Sequence, residues 1–407
     1  MLKKFLSSEL GKGAIVLFIT MNLFNLLNFV FHFSMGRLLG PADYGVLAVL
    51  MSIVYIYGIP SEAIQNLITK YTSKFNAKDE KGKINFLMNK SLKKGFKIAL
   101  LIFILVALIS IFVAKFLEIN FWLIFLTNII IFISFSSPIA RGVLQGRKKF
   151  TALGNSMVIE SSIKLFFAIS FVLFGFAVFG AIGGVLIGVI AGLVFSLYFN
   201  KDILKLEKTP AEFNGIYQTS KPYFITMVVI LLVFSIDIIL AKRFFSPETA
   251  GQYAVLSMLG KMIYFGTFAI SKAMFPLTSE KTEQKKDSSD LFKKSLAIIL
   301  AVCGISILAY FFLPTLIIKI LYGSAYIEIA PYLVFSGITF TFLSLTNLIL
   351  IYKLSTEKLK KSHLLFAFLI IEVVLLAFFH SSILEYIIAL MVSNIIMFIG
   401  SFFFIRK

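Results

Sequence analysis

The dominant pattern along the chain is a recurrence of apolar runs of about twenty residues, each closed by charged residues, Pro or Gly. That is the length an α-helix needs to cross the hydrocarbon core of a bilayer, ~20 residues at ~1.5 Å each. The runs lie at 13–36, 43–68, 96–116, 119–140, 153–175, 177–199, 217–241, 247–275, 295–314, 328–351, 363–381 and 383–404, and predict about twelve spans. The connectors between them leave no room for a soluble domain. The first run starts at Gly13 behind Lys3, Lys4 and Lys12. It is too long for a removable signal peptide and lacks a small-residue cleavage site, so it reads as the first span.

Composition sharpens this picture. Of 407 residues, 59% are hydrophobic and 14% charged, with a mean hydropathy of +0.95. A soluble domain carries ~25% charged residues. A globular cytosolic enzyme, a nucleic-acid-binding protein and a disordered chain are therefore excluded. An all-α polytopic membrane protein remains. The single cysteine, Cys303, has no partner for a disulfide. His32, His363 and His380 are too scattered for a zinc site, and no metal or cofactor is expected.

Basic residues outnumber acidic ones 39 to 20. Most fall in alternate connectors: the N-terminus, 70–97, 141–149, 201–221, 272–294, 353–361 and Arg406–Lys407. Arg37, Lys115, Lys242, Arg243 and Lys319 fall at the other face, and Lys164 and Lys261 lie inside spans. The positive-inside rule then places both termini in the cytoplasm of a multi-pass protein of the cell membrane. It also accounts for most of the net charge of +19 as topology signals and contacts with anionic membrane lipids, not nucleic acid.

Two segments align without a gap at an offset of 206. GRLLGPADYGVLAVL, from Gly36, meets KRFFSPETAGQYAVL, from Lys242. Arg37 falls on Arg243, Pro41 on Pro247, Gly45 on Gly251, and Ala48-Val49-Leu50 on Ala254-Val255-Leu256. Ala63-Ile64 and Thr72-Ser73 match Ala269-Ile270 and Thr278-Ser279, giving ten identities over the 38 positions 37–74. Six spans per repeat is an even number, so both halves enter the membrane in the same direction. A parallel repeat of two six-helix bundles follows, with lobes at 1–206 and 207–407, an arrangement that transporters commonly use to hold cargo. The alternative is duplication in a scaffold that transports nothing. The motif itself has a structural explanation. Pro41 and Pro247 suit a first helical turn. Asp43 and Glu248 favour the helix N-terminus, and Arg37 and Arg243 the preceding C-terminus.

Charge within a span costs at least ~2.5 kcal/mol and usually faces a cavity or a partner. Lys261 stands 14 residues after Pro247, roughly 21 Å along a helix and near mid-membrane. It has no carboxylate three or four residues away, and its need for a partner from elsewhere makes it the foremost cargo contact. Lys164 is also near the middle of a span, with Glu160 four residues earlier on the same face. That spacing predicts an ion pair, structural or functional. Asp237 lies six residues before Arg243. It pairs with a cation, takes up a proton, or forms a structural pair within its hairpin. Arg141 follows Pro138 near the cytoplasmic end and is either a cargo contact or a topology signal. Glu62 follows a Gly58-Ile59-Pro60 break, which exposes backbone that must line a cavity or protein, unless the break is only a kink. Gly180, Gly184, Gly188 and Gly192 recur every four residues and predict a smooth face for close helix packing. No GxxxxGK[ST] occurs, so ATP is not the direct energy source.

The sequence resembles the polysaccharide and oligosaccharide-lipid flippase (Wzx-like) group of the multidrug/oligosaccharidyl-lipid/polysaccharide exporter superfamily. GRLLGPADYGVLAVL resembles that group's signature at its first hairpin, and RGVLQGRKKF, from Arg141, one at the cytoplasmic end of the fourth span. Asp237 in FSIDIILAKRFFSPETAGQY matches its acidic position in span seven. The resemblance implies a V-shaped pair of six-helix bundles around a central cavity, working by alternating access. It implies export of a lipid-linked oligosaccharide to the outer leaflet, with glycosyltransferases of the same pathway as neighbours and no enzymatic activity of its own. On that reading Lys261, Lys164, Arg37, Arg243 and Arg141 receive the polyprenyl phosphate or diphosphate. Asp237, Glu160 or Glu62 couples transport to a proton or sodium ion. The rivals are a multidrug or cation antiporter of the same superfamily, a flippase for a lipid-linked peptidoglycan precursor, a membrane glycosyltransferase, polymerase or acyltransferase, and a scramblase or scaffold. An exporter of organic cations should carry acidic residues at mid-membrane, where this set leans basic.

Overall fold

A computed structural model describes residues 9–211, 221–356, 359 and 362–403. Lys3, Lys4, Lys358, Lys360, Lys361, Arg406 and Lys407, assigned above to the cytoplasmic side, lie outside the described residues. Among those described there is no strand. The helices are α1 (Glu9–Tyr57), α2 (Ile59–Asn76), α3 (Lys81–Leu117), α4 (Phe121–Asn128), α5 (Ile130–Gly146), α6 (Phe150–Phe171), α7 (Ala177–Tyr198) and α8 (Lys201–Leu204). They continue as α9 (Lys221–Phe244), α10 (Pro247–Glu283), α11 (Ser289–Phe312), α12 (Pro314–Leu321), α13 (Leu333–Ser355), α14 (Phe366–Phe378) and α15 (Ile383–Phe403).

Nine stretches of described helix are long and apolar enough to cross a membrane. Two of them, Ile15–Asn76 and Phe150–Tyr198, are long enough to cross twice, and the shorter Ser362–Phe378 adds one more, which makes twelve passes. The double crossings turn where the sequence permits it. α1 breaks at Gly40, whose φ of 72° and ψ of 176° place it outside helical space, immediately before Pro41. α6 gives way to α7 through a π-turn at Val172–Phe176, where Gly175 has φ 88°. The break at Gly58 is also present. α2 restarts at Ile59 with Pro60 in its first turn, where a missing N–H leaves nothing unsatisfied. In the second repeat, Ser246 caps α10 by accepting from the Thr249 N–H at 3.3 Å.

The chain divides into two compact units: Met1–Leu39 with Ile53–Ile216, and Gly40–Ser52 with Tyr217–Lys407. In the first, α6 packs along α7 and α2 along α5. The glycine stripe of α7 makes the first contact possible. A Cβ on Gly180 would stand 2.8 Å from the Phe171 Cβ, and one on Gly188 2.8 Å from the Glu160 carbonyl oxygen. The α2–α5 seam is polar: Ser61 donates to the Ser134 carbonyl at 2.9 Å and Gln65 to the Gln145 amide oxygen at 2.8 Å. α3 leaves Leu101, Leu105, Leu108 and Phe112 exposed along one stripe, as a lipid-facing surface requires. In the second unit, α10, α13 and α15 form the interior. Gly45 meets Gly251 there, a Cβ on the former lying 2.9 Å from the backbone nitrogen of the latter. The two glycines matched by the repeat thus let two backbones touch.

Candidate functional site

Within the spans, each unit holds a cluster of buried ionisable side chains among the described residues. In the second unit the cluster is built by α9, α10, α14 and α15. Tyr253, Ser257 and Lys261 follow one another at four-residue spacing on α10 and share a face. All three reach the Asp237 carboxylate on α9. Lys261 Nζ donates to Oδ1 at 2.9 Å, Ser257 Oγ to Oδ2 at 2.5 Å, and Tyr253 Oη to Oδ2 at 3.1 Å. Tyr386 of α15 donates to the Asp237 backbone carbonyl at 2.7 Å. The ammonium lies 4.7 Å above the centre of the Phe234 ring, a cation–π contact that replaces part of its hydration. Lys261 and Asp237 side chains are each 1% exposed. The partner that Lys261 requires is therefore supplied by the protein, across the hairpin from Asp237.

Glu372 completes this cluster and was not among the residues singled out by sequence. It sits in the middle of α14 within LIIEVVLL, is 1% exposed, and accepts from Ser393 Oγ at 3.2 Å through Oε2. Its other oxygen, Oε1, has no hydrogen-bond partner. Glu372 lies within Coulombic range of both Asp237 and Lys261. The signal was a single acid inside an unbroken apolar run, which only function or a buried partner explains.

In the first unit, Arg141 of α5 meets Glu160 of α6 at 2.6 Å, and its Nε donates to Ser156 Oγ at 3.3 Å. The expected Glu160–Lys164 pair is thus replaced by Glu160–Arg141. Gly192 opens the space for it: a Cβ there would stand 2.9 Å from Glu160 Cβ and 3.1 Å from the Arg141 guanidinium. A planar guanidinium presents its donors in a fixed fork that matches a carboxylate, where an ammonium is a point charge on a flexible stem. Lys164 instead reaches α1, donating to the Asn28 side-chain oxygen, with its Nζ 4.5 Å above the Phe31 ring. It still feels the Glu160 charge. Lys164 is 5% exposed, while the Arg141 and Glu160 side chains are 13% and 14% exposed.

Thus Arg141, Glu160 and Lys164 come together in one unit, and Asp237 and Lys261 in the other. Of the remaining three candidates, Arg37 is exposed near the Gly40 break, Arg243 is exposed in the last turn of α9, and Glu62 is half-buried in the first turn of α2. Outside the spans, Asp202 of α8 receives Arg147 and, at 3.1 Å, Lys149. The Arg147 hydrogen bond, ahead of that from Lys149, holds its carboxyl well below the usual carboxylate range. No group of three or more His, Cys, Asp or Glu arranged to hold a metal ion occurs among the described residues.

The fold has solved counterparts. The chain is similar to a multidrug resistance MATE family transporter of the MOP superfamily in its inward-facing conformation, with a TM-score of 0.74, 14% identity, and 96% of this chain and 97% of that one covered. It is similar to the outward-facing conformation of such a transporter, with a TM-score of 0.69, 14% identity, and coverage of 98% and 96%. A MOP superfamily transporter from Pyrococcus furiosus, described as having a binding pocket of reverse polarity, gives a TM-score of 0.65, 14% identity, and coverage of 96% and 93%. At such identities the likeness is one of fold, twelve passes in two repeats of six. A search of curated sequences gave no match. The family model described as polysaccharide biosynthesis protein matches residues 34–331, most of the chain, and this multi-pass membrane protein belongs to that family.

Proposed function

We propose that the protein is a flippase that carries an oligosaccharide linked to a polyprenyl phosphate or diphosphate from the cytoplasmic to the outer leaflet of the cell membrane, and that it catalyses no covalent chemistry. Both termini face the cytoplasm, as the distribution of basic residues indicates. Glycosyltransferases of the same pathway supply the cargo. The observation that carries this reading is the charge of the first unit's cluster. Two cations, Arg141 and Lys164, stand against one acid, Glu160. A surplus cation at membrane depth calls for an anion, and the phosphate is the part of such a cargo that the bilayer rejects most. Arg141 and Lys164 donate to it, and Arg37 and Arg243 assist from their exposed positions.

Asp237 is the coupling acid. Its ammonium partner leaves a sealed site only if another positive charge replaces it, because an unpaired buried carboxylate is strongly disfavoured. Transfer of Lys261 to the cargo phosphate therefore requires a proton on Asp237, and the two events are linked. The protein alternates the side of the membrane to which its charged groups open. The family supports the place in polysaccharide biosynthesis. The basic surplus favours an anionic cargo over the organic cations of a multidrug antiporter. A peptidoglycan-precursor flippase shares the same headgroup chemistry and differs in the sugar.

Proteoliposomes carrying the purified protein test this with two fluorescent cargoes, a polyprenyl-diphosphate oligosaccharide and a neutral glycolipid of the same chain length. Movement of the first and not the second is expected. Equal rates for both, or none for the first, would overturn the reading.

A further inference from the structure

The second unit's cluster contains one cation and two carboxyl groups: Lys261, Asp237 and Glu372. All three are about 1% exposed or less. Lys261 balances one negative charge, and its hydrogen bond goes to Asp237. A second carboxylate at this depth has no counter-ion left. The groups facing Glu372 from neighbouring elements are Asp237 on α9, Lys261 and Tyr253 on α10, and Tyr386 on α15. None supplies another positive charge. Glu372 accepts a single hydrogen bond, from Ser393, and its Oε1 faces no donor. A carboxylate would leave this oxygen's lone pairs unsatisfied in an apolar helix bundle, at considerable cost. A carboxylic acid carries its own hydrogen and no charge.

We propose that Glu372 is a proton-binding site, neutral in the arrangement seen, and that Lys261 is the built-in counter-ion of the two acids, balancing one of them at a time. The site holds one proton against one ammonium. When Lys261 leaves both acids, they take up one further proton and hold two; when Asp237 is protonated, Lys261 turns to Glu372, which gives up its proton, and the pair again holds one. The acids are thus compensated at every step, and the proton count reports whether the lysine is paired with them. Its role in transport rests on the function proposed above, but the proton itself is measured without cargo, so failure of one does not entail failure of the other.

The test is infrared difference spectroscopy of the full chain in lipid nanodiscs at neutral pH, reading the carbonyl stretch of a protonated carboxyl group. Wild-type protein should show the band, unchanged when sodium chloride replaces choline chloride. Glu372→Asp should shift it, which assigns it to this residue, and Glu372→Gln should abolish it. Asp237→Asn should also abolish it, because Glu372 then becomes the sole counter-ion of Lys261. Lys261→Met should roughly double it. A wild-type spectrum without the band, a band that Glu372→Asp leaves in place, or a band removed by sodium would each overturn the proposal. The wild-type measurements decide the first and third outcomes even if a variant fails to fold.

Discussion

The two buried clusters share a plan and differ in sign. In each, a lysine ammonium rests over a phenylalanine ring, Lys164 at 4.5 Å from Phe31 and Lys261 at 4.7 Å from Phe234. In each, the lysine reaches the first helix of its repeat, to Asn28 in one unit and Asp237 in the other. The repeat offset of 206 carries Phe31 onto Asp237 and Tyr55 onto Lys261. Where the second repeat has an ion pair, the first has an aromatic ring and a tyrosine whose hydroxyl stands 3.4 Å from His32 Nε2. The first unit's surplus is basic and its Arg141–Glu160 pair is partly accessible. The second unit's surplus is acidic and sealed. The duplicated plan thus carries a basic surplus in one unit and an acidic one in the other.

Stability breaks this comparison most directly. Removing one partner of a sealed pair leaves an uncompensated charge, so Lys261→Met should cost about 3–5 kcal/mol. The Lys261→Met/Asp237→Asn double variant should recover much of that loss. Lys164→Met removes a cation from a cluster that has one to spare and should cost clearly less. Thermal unfolding of the purified variants measures all three. Equal losses for the two lysines would erase the distinction between the clusters.

Packing gives a smaller effect. Gly188→Ala forces a methyl group to within 2.8 Å of the Glu160 carbonyl oxygen. It should destabilise by about 1–3 kcal/mol, as overpacking does. Gly304→Ala meets nothing within 4 Å and should be neutral or stabilise slightly. The same unfolding measurement on both variants sharpens the claim that the α6–α7 approach shapes the first cluster.

The smallest effect concerns pH. Asp202 has its carboxyl held below the ordinary range by Arg147 and Lys149. The folded state therefore binds this proton less readily than the unfolded chain. Its contribution to stability is present above the ordinary carboxylate pKa of about 4 and is lost as pH falls below it. The carboxylate is half exposed, so solvent screening keeps the contribution small. Asp202→Asn should flatten the acid limb of the unfolding midpoint slightly and leave the neutral-pH clusters untouched.

The membrane passes were legible because an apolar run of fixed length is a one-dimensional signal, and Pro41 marked the first turn and Gly58-Ile59-Pro60 the break within the second run; the positive φ of Gly40 and Gly175 came only with the fold. The α7 glycine stripe was legible for the same reason, since a four-residue period defines a helix face. Pairings between helices were not. Glu160 lies one turn from Lys164, yet it bonds to Arg141, 19 residues away. Lys261 and Asp237 each stood out as buried charges, but 24 residues and a hairpin separate them, and only the fold brings them to 2.9 Å. Glu372 was overlooked although its run is apolar on both sides, because no second charge nearby drew attention to it.

In the proposed transport cycle a surplus cation in the first unit receives the anionic headgroup. Flipping of a fluorescent polyprenyl-diphosphate oligosaccharide, compared between wild type, Lys164→Gln and Lys164→Arg in proteoliposomes, measures this directly. Loss of a charge-assisted contact worth ~1.4 kcal/mol or more corresponds to at least a tenfold slower rate for Lys164→Gln. Lys164→Arg should retain most of the wild-type rate. A Lys164→Gln variant that folds and flips the cargo as fast as wild type would contradict the account.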